Sequence, residues 1–165
     1  MTSNKNQELR EWIADEERIV RAICSPYHTQ GDVLLPGAYD PYPVDSDEVS
    51  VMRVDWLGAD RCKAHGKSLE NPANPRKKFA GLAVLLASQI RSTGATVEDS
   101  RQVFLGHADI HLGHPTMQRD QDPIEPANLK LSRDRRKALA KMARYCKDPN
   151  SDAQGWTGES LEPNP

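Results

Sequence analysis

The segment from Phe79 to Ile90 is the longest predominantly apolar stretch of the chain, and it restricts the folds that the chain can adopt. Such a stretch must be buried either as a helix or as a strand that continues into a short helix, and apolar periodicity alone does not separate the two. We favour a strand over residues 79–86, followed by a helical turn capped by Ser88. The stretch is shorter than the roughly 20 residues that cross a bilayer, so no membrane association is expected.

Two further extended segments and two amphipathic helices complete the predicted fold. Alternating and β-branched residues predict strands over 49–56 and 103–112. Apolar residues recurring at helical spacing predict a helix over 5–23. A second helix is predicted over 132–147, with Ser132 as its N-cap. The sequence therefore predicts an α+β fold in which a small mixed sheet is flanked by an N-terminal and a C-terminal amphipathic helix.

Loops separate these elements, and we expect one domain followed by a tail. Twelve prolines and ten glycines divide the chain into short pieces, and the polar stretch 58–78 is expected to be an internal loop. Residues 148–165 lack apolar periodicity and are rich in Pro, Gly, Ser, Asn and Asp, a composition that favours disorder. The prediction is a single domain over residues 1–147 and a disordered, dispensable tail over residues 148–165.

The cysteine content and the N-terminal composition favour a reducing compartment. Cys24, Cys62 and Cys146 are an odd and sparse set, which does not fit a disulfide framework. Residues 1–10 are polar and lack the apolar stretch of a secretory signal. Together these features predict a cytoplasmic protein.

The net charge of −2 conceals an asymmetry between the two parts of the chain. Residues 1–60 carry 12 acidic and 5 basic residues, whereas residues 61–165 carry 12 acidic and 17 basic residues. A charge distribution of this kind gives a protein a sided surface, which suits partners of complementary charge.

Basic residues are concentrated on one face of the predicted C-terminal helix. Plotted at about 100° per residue, they span an arc of about 140°, and Asp134 is the only acidic residue of that helix. Such a face can follow a row of phosphates, which makes nucleic acid a candidate partner. The alternatives are a solvated face or a docking face for the acidic N-terminal half. The candidate polyanion-binding residues are Arg133, Arg136, Lys137, Lys141, Arg144 and Lys147.

Histidines and an aspartate alternate along the predicted strand 103–112. His107, Asp109 and His111 share one face of that strand, and alternate residues lie about 6.8 Å apart, so neighbours on this face can share a metal ion. A further ligand would have to come from another element. The three residues are therefore a candidate metal site, and the alternative is the polar outer face of a half-exposed strand.

The string from Leu105 to His114 resembles the Asp-x-His opening motif of the calcineurin-like metallophosphoesterases. That family completes a two-metal site with Asn-His and Gly-His-x-His motifs further along the chain. No histidine follows His114 in this sequence. Membership of the family is therefore rejected.

A second arrangement of metal-binding residue types pairs Cys24 with His28 and Cys62 with His65. Two such pairs could make a tetrahedral zinc site. Their spacing is not that of a zinc knuckle, so buried and inert thiols are the alternative. Unless one of these arrangements binds zinc or another divalent metal, no cofactor is expected.

Short segments of the chain are together similar to a layout found in small bacterial proteins without an assigned function. The resemblance implies an α+β fold and no particular activity, and it marks His107 as a residue to test. The segments are Arg21-Ala22-Ile23, Pro36-Gly37-Ala38-Tyr39, Val49-Ser50-Val51 and His107-Ala108-Asp109-Ile110.

The sequence favours a non-enzymatic accessory protein that acts through a protein partner, because no catalytic set is complete and the charge is polarised. One alternative is a nucleic-acid-binding protein that uses the basic helix 132–147. Another is a metal-dependent hydrolase or nuclease that uses the face of His107, Asp109 and His111.

Overall fold

The computed structural model describes residues 8–117 and 124–165 of the chain. Within these ranges the chain forms eight strands, four α-helices and one 3-10 helix over Pro36–Tyr39. In chain order, the strands and α-helices are β1 (Arg18–Pro26), β2 (Thr29–Gln30), β3 (Val33–Leu34), β4 (Glu48–Arg53), α1 (Val54–Leu57), α2 (Ala59–Ser68), β5 (Lys77–Leu86), α3 (Ala87–Ser92), β6 (Thr96–Asp99), β7 (His107–His111), α4 (Pro126–Met142) and β8 (Arg144–Lys147).

Six of the strands form one sheet in the order β6-β7-β4-β1-β5-β8, and β2 and β3 form a separate hairpin. Every strand pair is antiparallel. The α+β fold class predicted from the sequence is confirmed. Among the described residues no helix is long and apolar enough to cross a membrane.

The apolar stretch that begins at Phe79 forms the strand and short helix predicted for it. β5 lies between β1 and β8 and is buried over most of its length. α3 follows directly, with Leu86 rather than Ser88 at its N-cap position. A strand buried on both faces needs a continuous apolar run, and this is the signal that the sequence carries.

The predicted N-terminal helix over residues 5–23 is wrong where the structure describes it. Residues 18–26 are strand β1, which pairs with β5 along its whole length. Ile19 and Ile23 are buried against one face of the sheet, and Val20 against the other. Apolar residues at positions 19, 20 and 23 fit a helical stripe as well as a strand buried on both faces, so pairing with β5 decides the conformation.

Three other predicted elements have different bounds in the structure. The strand predicted over 49–56 is β4, and its last residues instead form α1. The strand predicted over 103–112 is reduced to β7, because residues 101–106 form turns. The loop predicted over 58–78 contains the ten-residue helix α2.

The C-terminal helix begins earlier and ends earlier than the predicted range 132–147. α4 starts with Pro126 in its first turn, where a missing N–H costs no hydrogen bond. Ser132 is therefore inside the helix, buried, and donates to the backbone oxygen of His114. Beyond Ala143 the chain becomes β8, which extends the sheet beside β5.

Helices cover both faces of the sheet and divide the core into two clusters. On one face, side chains from α3, α4 and the 3-10 helix pack against the sheet. On the other face, α1 and α2 pack against it together with the partly buried Trp156 and the buried Leu161 of the C-terminal segment. β7 and its polar residues lie between β6 and β4 in this arrangement.

The structure packs residues 148–165 against the body, in contrast to the disordered tail expected from composition. The Lys63 ammonium of α2 lies 2.7 Å from the Asp148 carboxylate, and both side chains are buried. Lys63 also donates to the backbone oxygens of Asn150 and Gly155. A buried cation with three oxygen partners therefore holds the start of this segment in place.

A second buried ionic network holds the N-terminal segment 8–17 to the sheet. The Arg53 guanidinium at the end of β4 donates twice to Glu17, at 2.8 and 2.9 Å. It also donates to Asp99 and to the backbone oxygen of Arg10, each at 2.6 Å. The Arg53 side chain is 2% exposed, so these oxygens replace the water that it has lost.

Candidate metal centre and basic helix face

The three candidate metal ligands of β7 share one face of the sheet but have different surroundings. His107 pairs with Met52, Asp109 with Ser50 and His111 with Glu48 across the β4–β7 ladder. His107 is buried, whereas Asp109 and His111 are partly exposed. The structure therefore separates the buried start of the strand from its solvent-accessible end.

His107 has the surroundings of a packing residue. Its Nδ1 shares a hydrogen bond with Ser100 Oγ, and the Ser100 N–H donates to the His107 backbone oxygen at 2.9 Å. The rings of Phe104 and His65 lie 5.0 and 6.5 Å from the His107 ring, centroid to centroid. Burial lowers the pKa of His107, which favours the neutral imidazole. Ser100 and His107 thus close the turn between β6 and β7.

A group of potential metal ligands forms around His111 instead. One ligand atom each from Asp47, Glu48 and His111 lies within 4.8 Å of the others. His111 Nδ1 is 3.5 Å from Asp47 Oδ1, and His111 Nε2 is 3.6 Å from Glu98 Oε2. The Gly113 N–H donates to Asp47 Oδ2 at 3.1 Å. We call Asp47, Glu48 and His111 the His111 centre.

Antiparallel pairing brings this centre together from distant parts of the sequence. His111 lies opposite Glu48 in β4 and opposite Thr96 in β6. Asp47 precedes β4 directly, and its backbone oxygen accepts from the Leu112 N–H at 3.0 Å. Sequence reasoning identified His111 but missed Asp47 and Glu48. Their signal is a pair of acidic residues directly before a predicted strand, which becomes informative only when the pairing with β7 is known.

Negative charge accumulates around this centre. Asp47, Glu48, Glu98 and Asp109 all carry carboxylates on or beside these strands, and Glu98 lies directly opposite Asp109. Like charges opposite each other in a ladder are destabilising. Within the part of the chain that the structure describes, no lysine or arginine forms an ion pair with any of the four. His111 contacts two of the four carboxylates, those of Asp47 and Glu98, and a cation bound here would relieve the repulsion.

The Cys/His pairs do not form a comparable group in the described residues, where the His111 centre is the cluster suited to a metal. His28 Nδ1 accepts from the Cys24 backbone N–H at 3.0 Å, and burial lowers the pKa of His28 to about 3. Burial raises the pKa of the Cys62 thiol to about 12. Burial therefore keeps the Cys62 thiol protonated, and inert cysteines remain the alternative to a zinc site.

The six predicted polyanion-binding residues are distributed over two elements. Four of them, Arg133, Arg136, Lys137 and Lys141, lie on α4, whereas Arg144 and Lys147 lie on β8. Three of the six are neutralised by carboxylates: Arg136 by Asp40, Arg144 by Glu159 and Lys147 by Asp32.

The remaining three form a row along the exposed face of α4. Arg133, Lys137 and Lys141 are exposed and have no acidic partner among residues 8–117 and 124–165. Their spacing of four residues places neighbouring side chains about 6 Å apart along the axis. Like charges at this spacing destabilise a helix by about 0.2–0.5 kcal/mol per pair. We call these three residues the basic row.

No protein-family model matches the sequence, and neither the curated proteins nor the solved structures include a match.

Proposed function

We propose that this protein binds a divalent metal ion at the His111 centre. The observation that carries the proposal is the convergence of two carboxylates and an imidazole, with ligand atoms within 4.8 Å of one another. The carboxylates of Glu98 and Asp109, which form no ion pair with a lysine or arginine among the described residues, add to the negative potential that attracts a cation. Of the set predicted from the sequence, His107, Asp109 and His111, only His111 is a ligand of the proposed centre.

The chemistry of the ligands indicates which metals are favoured. Two carboxylates and one imidazole suit zinc, manganese and similar ions better than calcium or magnesium, which prefer oxygen ligands alone. The Asp47 and His111 side chains are 29% and 26% exposed. A metal held by three residues at such a position keeps open coordination sites for water or for an oxygen of a partner.

Two roles are compatible with such a metal. A cation bound to Asp47, Glu48 and His111 would tie β4 to the end of β7, which is a structural role and fits a non-enzymatic accessory protein. A metal with open sites can also activate water for hydrolysis, which is the chemistry of the hydrolase alternative. Both roles require the same binding event, and that event is tested first.

We predict that the full-length protein, stripped of metal with EDTA, binds about one equivalent of zinc or manganese in isothermal titration calorimetry. The His111→Ala and Asp47→Asn variants should each bind about tenfold more weakly or worse. The first removes one of three ligands, and the second replaces an anionic ligand with a neutral amide. Metal should also raise the melting temperature of the wild type, since a ligand that binds only the folded state stabilises it.

The matched control is His114→Ala, which removes an imidazole three residues away from His111 and outside the centre. This variant should bind metal like the wild type. The His107→Ala variant should still bind about one equivalent of metal, even if the substitution lowers the stability of the fold. Binding that is lost in His107→Ala and retained in His111→Ala would contradict the proposal, as would the absence of binding by the wild type.

A further inference from the structure

A pocket of about 460 Å³ opens beside the basic row. Its walls come from the C-terminal half of α4, the start of β8, the β2–β3 hairpin, the 3-10 helix and Asn164 of the C-terminal segment. Aliphatic and aromatic side chains form much of the lining, including Val33, Leu34, Pro36 and Tyr145. Val33 is 67% exposed although it is a large aliphatic residue. The pocket therefore offers apolar surface that the described part of the chain does not cover.

Two residues of the basic row, Lys137 and Lys141, line this pocket. Arg144 also lines it, but its charge is neutralised by Glu159 at 2.7 Å. Two ammonium groups without an acidic partner in the described residues thus stand beside an apolar floor. The like charges of the basic row destabilise α4 slightly. Lys130 on the same helix is instead paired with Asp134 at 2.6 Å.

We propose that this pocket is the docking site for a segment of a protein partner that combines acidic and apolar side chains. An apolar side chain of the partner would fill the space between Val33, Leu34 and Tyr145. Carboxylates flanking it would pair with Lys137 and Lys141. Charge complementarity selects the partner, and burial of apolar surface stabilises the complex.

The lining favours a protein segment over nucleic acid. Nucleic-acid sites on single strands combine basic residues with several aromatic platforms, whereas this pocket contains Tyr145 among aliphatic residues. A peptide can place an apolar side chain against the apolar lining residues while its carboxylates pair with Lys137 and Lys141.

The test is selection of random peptides displayed on phage against the immobilised full-length protein. Enriched peptides should contain acidic residues next to an aromatic or aliphatic residue. A synthetic peptide of the enriched sequence should bind the Lys137→Glu/Lys141→Glu variant at least about tenfold more weakly than the wild type. Val33→Asp should weaken binding similarly, because it places a charge in the apolar wall.

The control variant is Arg61→Glu/Lys78→Glu, which makes the same change in charge on α2 and at the start of β5. It should bind the peptide like the wild type, and thermal melting shows whether all variants are folded. Absence of enrichment, or equal binding by the Lys137→Glu/Lys141→Glu variant, would overturn the proposal.

Two further outcomes would assign the basic row to a different partner and also overturn the proposal. One is micromolar binding of duplex DNA at physiological salt that is lost in Lys137→Glu/Lys141→Glu but retained in Val33→Asp. That binding should weaken with salt at a slope of about −0.9 per phosphate contact. The other is self-association, measured by light scattering, that the same charge reversal abolishes, which would identify a second copy of the chain as the occupant.

Discussion

Replacing Arg53 with methionine is expected to lower the free energy of unfolding by about 3–5 kcal/mol, the cost of breaking a buried ion pair from one side. Methionine fills much of the volume, but it leaves the Glu17 carboxylate without its guanidinium partner and leaves Asp99 with Arg101 alone. It also removes the hydrogen bond to the Arg10 backbone oxygen. We therefore expect the N-terminal segment 8–17 to detach from the sheet in this variant before the rest of the chain unfolds.

Chemical denaturation measures the decrease in the free energy of unfolding. Hydrogen exchange of the backbone amides in residues 8–17 shows whether the segment has detached, because a detached segment loses its protection. Lys130→Met is the matched control, because it breaks the exposed ion pair to Asp134 and should cost less than about 1 kcal/mol. Equal effects of the two substitutions would show that the Arg53 network contributes little to stability.

The effect of Arg53→Met should depend on pH. Burial opposes ionisation of Asp99, but hydrogen bonds from Arg101 and Arg53 outweigh it and hold the pKa of Asp99 below its usual value. A carboxyl with a lowered pKa stabilises the fold above the unfolded pKa of about 3.9 and loses that contribution as pH falls through its folded pKa. The difference between wild type and variant should therefore shrink below about pH 4. A constant difference from pH 7 to pH 3 would contradict this account.

Replacing Lys63 with methionine is expected to have an effect of similar size, about 3–5 kcal/mol. The substitution leaves the Asp148 carboxylate buried without its cation, and it removes the donor to the backbone oxygens of Asn150 and Gly155. These contacts fix the start of the C-terminal segment, which continues to Trp156 and the buried Leu161. We expect Lys63→Met to release residues 148–165 to limited proteolysis.

A double variant separates the ion pair from the packing of the segment. Lys63→Met/Asp148→Leu removes both charges, and replacement of a buried pair by apolar residues recovers much of the loss. Truncation after Lys147 should instead be destabilising, because it exposes the apolar surface under Leu161 and leaves Lys63 unpaired. A truncated chain that melts within a few degrees of the full chain would instead support the prediction from composition that residues 148–165 are dispensable.

Local patterns in the sequence were sufficient to predict those elements whose burial follows from their own residues. β5 and α3 were predicted because a continuous apolar run has to be buried wherever it lies in the fold. α4 was predicted because one helix face carries the apolar residues and the other carries Arg133, Lys137 and Lys141. The bounds of α4 were less well predicted, since Cys146 fits the apolar stripe of a helix but pairs with Leu82 of β5 as a strand.

The candidate metal centre was predicted in part from the sequence. The alternation of His107, Asp109 and His111 placed their side chains on one face, as the structure shows. It could not show that His107 is buried against Phe104 while His111 reaches solvent beside Asp47. The residues that complete the centre lie more than sixty positions away along the chain, and only the register of β4 against β7 brings them to His111.

The sequence by itself determined the fold class, the burial of residues 79–90, the existence of a basic helix and the face of β7 that carries polar residues. The tertiary structure alone decided that residues 18–26 are a strand, that residues 148–165 pack, and which carboxylates surround His111. The physical reason is that periodicity reports which side of a segment avoids water. Strand pairing depends instead on residues that are distant in the chain, and so do buried ion pairs such as Lys63 with Asp148. These interactions stabilise the fold only when both partners are in contact.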